Sequence, residues 1–450
     1  MSLITAWRLS TYSLASFRDD SMSARKTVGL PLMLLCAWVD GAQALSLREA
    51  AELALQNDPR LRAAEQSVAE SNANIDVARA GYLPSVSVGA AAGKQRIDFK
   101  SDFPAGLPEP RRLNPLSASL SARQPLYSGG LTTAQMTDAR SRLEAAQQSE
   151  AATRQMLLLA AITAYLDVVR DRDVVELSEK NVQRLQQALD DVRSRFDIGT
   201  NTSTDMLLVA AQRAEGEALR KRAYASLRIS TAGFVRVIRD NPENLSRAWP
   251  LPEAPGSLDQ ALSTAALTPS VLAANAQSAS AQAQVDAARA TLFPTLSIDA
   301  RASTQDDKEY GLNRYDYWAV QLQATLPIYA GGSNTARITA AHAGAMAAEA
   351  RAENERYAAI ELITQAWAYY EASTEIIAAN AAAAEASLSA RNAVQEELKV
   401  GSRTTFDLLN AERDLFALQV SLASSQRDRI VASYRLLAAC GQLDLSKVAP

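Results

Sequence analysis

Residues 124–130 read Gln-Pro-Leu-Tyr-Ser-Gly-Gly, and residues 326–332 read Leu-Pro-Ile-Tyr-Ala-Gly-Gly. Each stretch ends an alternating apolar and polar segment and precedes a long segment without proline, so each marks a strand that leads into a helix. The two copies lie 202 residues apart. This recurrence indicates that the chain contains an internal repeat.

Other matched pairs extend the repeat in both directions. Gly199 and Gly401, each followed six residues later by an aspartate, have the same spacing of 202 residues. Pro84 and Pro294 lie 210 residues apart, which places one eight-residue length difference between the copies in the strand region. Because the matches are collinear, we predict a duplicated unit of helix, β-hairpin, long helix and return helix.

Two long helices are predicted because the sequence lacks helix breakers. From Leu131 to Ile198 there is neither glycine nor proline, and from Ser333 to Val400 there is only Gly344. Roughly 65 helical residues extend about 100 Å. Apolar residues recur at heptad spacing at Val175, Val182, Leu185, Leu189, Val192 and Phe196, and at Leu408, Ala411, Leu415, Leu418 and Leu422. We therefore predict antiparallel coiled-coil hairpins that turn at the two matched glycines.

The helices that leave these turns need N-terminal caps. Asn201 or Ser203 is the candidate cap after the first turn, and Ser402 or Thr404 is the candidate after the second. Side-chain oxygens of these residue types accept hydrogen bonds from the free N–H groups of the first helical turn.

Four segments between the helices have a period of two. We predict strands at about 84–98, 114–127, 294–304 and 315–329. Alternation of apolar residues with serine, glutamine and charged residues over about ten positions is typical of a barrel strand with lipid outside and water inside. A half-buried sheet of a soluble domain is the alternative.

Four strands are too few to close a barrel, for which about eight is the practical minimum. An open edge in lipid leaves backbone groups without hydrogen bonds, at a cost of several kcal/mol each. Copies of the chain are therefore expected to join their edges, and two, three or four copies give eight, twelve or sixteen strands. About a dozen strands leave room for a lumen, whereas eight are largely filled by side chains.

The composition of the 450 residues argues against several functional classes. A formal charge of −4 is unlike that of a nucleic-acid-binding protein, which normally presents a basic face. The one histidine, His342, argues against histidine metal sites and Ser/His/Asp catalysis, and two cysteines cannot form a Cys₄ zinc site. We expect no enzyme, and hence no catalytic residue, metal or cofactor.

The beginning of the sequence is predicted to be an export signal. A short positive segment and an apolar stretch at 28–39 precede Ala-Gln-Ala at 42–44, which is the small-x-small pattern of a cleavage site. We expect cleavage between Ala44 and Leu45 and a mature chain without an N-terminal lipid. After this segment the sequence has no unbroken run of about eighteen apolar residues, so we predict no membrane-spanning helix there.

The predicted organisation has five parts, with the start at Met1 or Met22. They are an extension and signal at 1–44, a first repeat at 45–240, a proline-rich segment at 241–257, a second repeat at 258–440 and a tail at 441–450.

The chain resembles the TolC family of outer-membrane channel-tunnel proteins over essentially its whole mature length. The resemblance is carried by Asn57-Asp58-Pro59, by the doubled stretches above, and most specifically by Val-Gly-Ser-Arg-Thr-Thr-Phe-Asp-Leu-Leu-Asn at 400–410. It implies a mainly α-helical homotrimer with a twelve-stranded barrel in the outer membrane of a Gram-negative cell. It also implies a long coiled-coil tunnel in the periplasm and an equatorial belt formed by the proline-rich segment and the tail.

The resemblance further implies roles for residues at the hairpin tips. Asp407 and Asn410 match positions that line the periplasmic constriction, where only Asp407 supplies a carboxylate. Arg403 and Asp205 match a latch between neighbouring hairpins; from their chemistry alone they are a solvated surface pair. A periplasmic adaptor is implied to dock on the turns, at Gly199, Thr200, Asn201, Gly401, Ser402 and Arg403.

The implied function is an exit duct that contacts outer-membrane lipid and works with a periplasmic adaptor and an inner-membrane ABC exporter or other pump. The unlipidated N-terminus favours type I secretion of a protein toxin, because many efflux ducts carry a lipid there. The alternatives are the outer-membrane factor of a small-molecule efflux pump and a structural coiled-coil fibre or adhesin. A fibre does not account for the alternating hairpins.

Overall fold

The computed structural model describes residues 44–97, 111–247, 251–309 and 312–448. The predicted signal before Ala44, residue 98 of the first predicted strand and residues 248–250 of the proline-rich segment lie outside the described residues. The first repeat consists of α1 (Leu47–Asn57), α2 (Pro59–Arg79), β1 (Ser85–Ala92), β2 (Gln95–Ile97), β3 (Arg111–Leu113), β4 (Leu116–Tyr127), α3 (Leu131–Asp197) and α4 (Ser203–Ile238). The second consists of α5 (Leu258–Leu262), α6 (Pro269–Ala290), β5 (Thr295–Glu309), β6 (Leu312–Thr325), α7 (Ser333–Lys399) and α8 (Thr405–Ala439).

The four longest helices form two hairpins of matched length. α3 and α7 each contain 67 residues, and the return helices α4 and α8 contain 36 and 35. A helix of 67 residues extends about 100 Å. Both long helices begin after a glycine with positive φ, Gly130 at 90° and Gly332 at 81°, because glycine lets the chain turn sharply from strand to helix. The predicted duplicated architecture is confirmed.

The two repeats share one antiparallel sheet with the strand order β1-β4-β5-β6. Its central pair, β4 with β5, joins the repeats and runs from Leu116 opposite Asp306 to Tyr127 opposite Leu296. Strands β1 and β6 are the edges. Among the residues that the structure describes, neither edge pairs with a further strand of this chain.

Two predicted strands have different limits in the structure. The strand predicted at 84–98 ends at Ala92, and after Gly93 the chain enters a separate ribbon of β2 and β3. Glycine weakens a strand because it has no side chain to pack and loses more conformational entropy. The strand predicted at 294–304 instead continues to Glu309.

Proline limits the helix-side end of the sheet. The strand predicted at 315–329 runs from Leu312 to Thr325 and stops before Pro327. In β4 the register shifts between Pro125 and Tyr127. Both effects follow because proline has no N–H to donate to the strand ladder.

The sheet has one apolar face and one polar face. Ser87 and Ser121 are register partners, and their hydroxyl oxygens lie 2.7 Å apart, so the serine rows share a face. The other face carries exposed large apolar side chains at Val86, Val88, Leu116, Leu120, Trp318, Val320 and Leu322. Trp318 is 80% exposed. A continuous exposed apolar face of this kind is typical of strands in contact with lipid.

The largest buried cluster lies where α1, α3, α4 and α8 meet. It contains the fully buried Tyr165 of α3, whose hydroxyl oxygen lies 2.7 Å from the carbonyl oxygen of Leu45 and 2.9 Å from that of Ser246. Burial raises the pKa of Tyr165 to about 12. Leu443 and Val448 pack into the same cluster. Both ends of the described chain are therefore fixed at one level of α3.

One described helix, α3, is apolar and long enough to cross a membrane by length and composition. Within its most apolar window, 44% of the residues are buried inside the protein, and α3 supplies Leu157, Ile162 and Leu166 to the largest core cluster. The core helix of a packed protein meets the same criteria, so this feature is weak evidence for a helical span.

We expect Gly129→Ala to lower the thermal unfolding midpoint more than Gly331→Ala. The two glycines are repeat partners with positive φ, 66° and 61°, so each alanine costs about 1–2 kcal/mol of backbone strain. At Gly129 an added Cβ would also lie 2.8 Å from the carbonyl oxygen of Ala290, whereas at Gly331 it meets no atom within 4 Å. Circular dichroism of the detergent-solubilised variants measures both midpoints. Equal losses would contradict the packing argument.

Candidate functional site at the hairpin tips

The two hairpin turns have the same backbone structure. Gly199 and Gly401 have φ of 81° and 78°, and each donates its N–H to a carbonyl three residues earlier. The next N–H, of Thr200 or Ser402, bonds a carbonyl five residues earlier, at 2.9 and 3.0 Å. These bonds satisfy carbonyls at the helix ends that would otherwise have no partner. Both long helices therefore end where glycine predicts.

Each return helix begins with a capping box. Thr202 and Asp205 form the box of α4, and Thr404 and Asp407 form that of α8. In each box the threonine hydroxyl accepts from the N–H three residues later, and the aspartate accepts from the N–H of the threonine. Thr404 is one of the two predicted caps. The prediction of Asn201 or Ser203 is wrong, because Thr202 holds the matching position in the first turn.

The capping box determines the electrostatics of Asp407. Its Oδ2 accepts from the backbone N–H of Thr404 at 2.9 Å and from the Thr404 hydroxyl at 2.8 Å. The backbone hydrogen bond, followed by the hydroxyl bond, lowers the pKa of Asp407 below its ordinary value of 3.8. The ionised Asp407 carboxylate therefore stabilises the folded tip at pH values above the pKa that Asp407 has in the unfolded chain. This stabilisation is lost as pH falls through the lower pKa of the folded protein.

Within the protomer, Arg403 and Asp205 are not brought together. Arg403 donates from Nε to Glu397 Oε2 at 2.8 Å, inside its own turn, and this bond raises the pKa of Arg403. Both partners are about half exposed, so the pair itself contributes about 0–1 kcal/mol. Asp205 is occupied by Thr202, which donates from its hydroxyl at 2.8 Å.

The two turns meet through Asn201 and Thr405. The Asn201 Nδ2 atom lies 3.5 Å from Thr405 Oγ1, the hydroxyl oxygen of the first residue of α8. Thr405 is buried, whereas Asn201 is partly exposed. Asn410 is partly buried on the next turn of α8. The predicted adaptor-docking turns therefore form one continuous tip surface in the protomer.

A buried ion-pair triad, which was not predicted from the sequence, lies behind the tips. Glu412 of α8, whose side chain is 5% exposed, binds one arginine with each carboxylate oxygen. Arg184 of α3 donates to Oε2 at 2.7 Å, and Arg391 of α7 donates to Oε1 at 2.5 Å. Glu412 thus joins the first hairpin to the second. Leu409 and Leu415, which flank it at helical spacing, are also buried, and that spacing is the signal that could have identified it.

Apolar packing surrounds the triad. Leu185, Val192, Val209 and Leu409 form a small buried cluster across α3, α4 and α8. At the crossing of α3 and α4, Gly216 leaves so little room that an added Cβ would lie 2.9 Å from Leu185. The arms of the first hairpin therefore pack closely beside the triad.

The described residues contain no cluster of three or more His, Cys, Asp or Glu side chains placed to hold a metal ion. His342 lies on α7, with its Nε2 atom 3.0 Å from Nη2 of Arg289 on α6. His342 therefore contacts an arginine side chain between two helices.

A sheet with an exposed apolar face, continuous with helices about 100 Å long, defines an outer-membrane channel with a periplasmic helical tunnel. A family model described as "Outer membrane efflux protein" matches the chain twice, at residues 50–232 and 261–442. The chain therefore belongs to the outer membrane efflux protein family, the TolC family that its sequence resembles. Its location is the Gram-negative outer membrane, with the helical tunnel in the periplasm.

Relatives match over nearly the whole chain. Outer membrane efflux protein BepC of Brucella suis biovar 1 is 29% identical over 429 residues, covering 94% of this chain and 91% of BepC. Alkaline protease secretion protein AprF of Pseudomonas aeruginosa is 27% identical, covering 91% and 89%. The crystal structure of the Campylobacter jejuni CmeC outer membrane channel superposes with a TM-score of 0.77 at 16% identity, covering 89% of this chain and 88% of CmeC. This likeness establishes the shared fold.

We expect Glu412→Gln to loosen the tip region. Loss of the charge weakens two hydrogen bonds from partly buried guanidinium groups, each worth about 1.5–3 kcal/mol when the acceptor is charged. Hydrogen exchange should accelerate near Arg184, Arg391 and Glu412 compared with the unaltered protein.

Glu176→Gln is the matched control, because Glu176 pairs with Lys180 on the same helix as Arg184 while half exposed. Such a pair contributes about 0–1 kcal/mol. Exchange rates that change equally in the two variants would show that the triad does not hold the hairpins together.

Proposed function

We propose that the protein is the outer-membrane exit duct of an export system and works as a homotrimer. The observation that carries the proposal is the open four-stranded sheet, whose outer face is apolar and whose two edges lack partner strands among the described residues. Three copies supply twelve strands and close the wall around a lumen. A pore of this kind has no means of using energy, so an inner-membrane transporter and a periplasmic adaptor drive export.

Within this function, we favour type I secretion of a protein. AprF is named for alkaline protease secretion, and protein PrtF of Dickeya chrysanthemi is named for protease secretion. BepC is named as an efflux protein and OpmQ of Pseudomonas aeruginosa for pyoverdine export, so small-molecule efflux is the second candidate. The predicted absence of an N-terminal lipid supports the first.

A deletion strain tests the proposed cargo. Secretion predicts that a specific protein disappears from the culture medium and returns with the gene, while sensitivity to dyes and antibiotics is unchanged. Increased sensitivity with an unchanged secreted proteome would favour efflux. A purified protein that forms neither heat-resistant trimers nor conducting channels would contradict the duct itself.

The predicted cleavage site is compatible with the packing of the described N-terminus. The N–H of Leu45 donates to the carbonyl of Asn244 at 2.8 Å, which the ammonium group of a new N-terminus could also do. We therefore infer that cleavage after Ala44 leaves Leu45 docked in the core. The mass of the purified mature chain identifies the cleavage position.

We further propose that three Asp407 side chains, with the adjacent Asn410 side chains, line the periplasmic entrance. Asp407→Asn should weaken block of the channel by divalent cations added at the tip side. Because the pKa of Asp407 is lowered, block in the unaltered protein should persist from pH 7 to pH 5 and fall only at more acidic pH. Single-channel recordings in planar bilayers measure the block. Undiminished block in the variant would place the cation site elsewhere.

The proposed latch uses Arg403 toward Asp205 of a neighbouring hairpin. Arg403→Gln should then raise resting conductance, because the tips separate more easily. Glu397→Gln is the control, since it removes the partner of Arg403 within the turn and leaves the arginine in place. If both variants change conductance alike, Arg403 acts only inside its own turn, and the latch is wrong.

The turns that contain Gly199 to Asn201 and Gly401 to Arg403 are proposed as the adaptor-docking surface. They are the ends of the long hairpins, and both are exposed or partly exposed. Their matching backbone structures offer a repeated surface to a helical partner.

A further inference from the structure

The polar face of the sheet carries a group of charged side chains on its helix-side half. Arg123 of β4 lies opposite Asp299 of β5, with Nε 3.6 Å from Oδ1. Arg301 of β5 lies one row further from the helices and is opposite Ser121 on one side and Ala319 on the other, neither of which is charged. We refer to Arg123, Asp299 and Arg301 as the basic belt.

The register places the basic belt on the lumen side of a closed barrel. Side chains of a strand alternate between faces, and Val320 and Leu322 on the neighbouring strand belong to the exposed apolar face. Arg123, Asp299 and Arg301 have the opposite parity, and they line a concavity together with Ser121, Gln321 and Gln323. This placement agrees with the chemistry of the side chains, because a guanidinium group on the lipid face of a strand is destabilising near the middle of the membrane.

The basic belt has an excess of positive charge at one level. Within a protomer, Arg123 partly neutralises Asp299, and Arg301 adds a second cation, so the belt carries a net charge of +1. The next two rows toward the far rim contain Gly89, Ser119, Ser303 and Tyr317, then Ala91, Ser117, Gln305 and Tyr315, all without formal charge. Of these rows on the polar face, only those of the belt therefore carry positive charge.

We propose that the basic belt, repeated by the copies that close the barrel, is an anion-binding ring in the lumen that favours solutes carrying phosphate or carboxylate groups. This proposal rests on the proposed function, because one protomer supplies only a third of the ring in a trimer. Rings of arginine select anions in pores, and guanidinium groups bind phosphate and carboxylate oxygens through paired N–H donors. The sign of the ring is opposite to that of Asp407 at the tip and to the net charge of the chain.

Inorganic tripolyphosphate is the probe, added to either side of single channels in planar bilayers. It should reduce conductance at low salt, where the screening length is about 30 Å at 0.01 M, and lose this effect at 1 M, where it is about 3 Å. Arg301→Gln should raise the tripolyphosphate concentration that blocks half of the conductance by about threefold or more. A change of about one kT in the electrostatic energy of the anion changes its local concentration by that factor.

Two further variants distinguish the ring from general effects. Asp299→Asn removes the one negative charge of the belt, so it should strengthen block, a gain that misfolding does not produce. Arg314→Gln is the matched control, because Arg314 lies toward the far end of β6 and pairs with Asp316. Tripolyphosphate should block the Arg314→Gln channel as strongly as it blocks the unaltered channel.

The outcomes separate this proposal from the proposed function. Absence of heat-resistant trimers and conductance in the unaltered protein would contradict the duct. The basic belt would be overturned, and the duct left intact, if the unaltered protein forms conducting trimers but one of three results is found. Tripolyphosphate block is the same in Arg301→Gln and Asp299→Asn as in the unaltered protein, or block does not depend on salt. The third result is that Arg314→Gln weakens block as much as Arg301→Gln does.

Discussion

The constraint on which this structure depends is that hydrocarbon provides no hydrogen bonds to a backbone. The sheet exposes apolar side chains on one face, yet the described residues leave the outer sides of β1 and β6 without a partner strand. Each unpaired backbone group in lipid costs several kcal/mol. A single chain therefore cannot be stable in the bilayer, and the protomer is one segment of a closed wall. Its helices continue that wall, because β4 leads directly into α3 and β6 into α7.

Duplication explains why the helical hairpins of the two repeats extend equally far from the sheet. The long helices have identical lengths, and the turns at Gly199 and Gly401 have nearly identical φ and the same capping boxes. The repeats differ in the side chains added to that backbone. In the second turn Arg403 pairs with Glu397, and Glu412 of the second repeat binds an arginine from each hairpin. The common backbone sets the shape of the tip, and these ion pairs make its two halves unequal.

Backbone features were predictable because they depend on local chemistry. Glycine marked both hairpin turns, and alternation located the sheet, although Gly93 and Pro327 set limits that alternation alone does not show. Glu412 could not be predicted from its residue type, since a glutamate in a helix normally faces water. The heptad pattern placed Ala411 in the seam, but the structure buries Leu409 and Glu412. A buried carboxylate at residue 412 is favourable only because the side chains of Arg184 and Arg391, which are distant from it in sequence, both donate hydrogen bonds to it.

Fixed charges in a passive duct change which solutes enter and how long they remain, but they cannot set the direction of transport. The proposed carboxylate ring at the tip and the proposed arginine ring in the barrel would raise the local concentration of oppositely charged solutes, and at equilibrium neither would favour one direction of passage. Net export requires a gradient or an energy-consuming partner. The proposed division of labour follows: the tip must recognise that partner, and the barrel must let the cargo leave. Weak binding in a wet lumen meets the second requirement, because a solute that binds tightly would block its own exit.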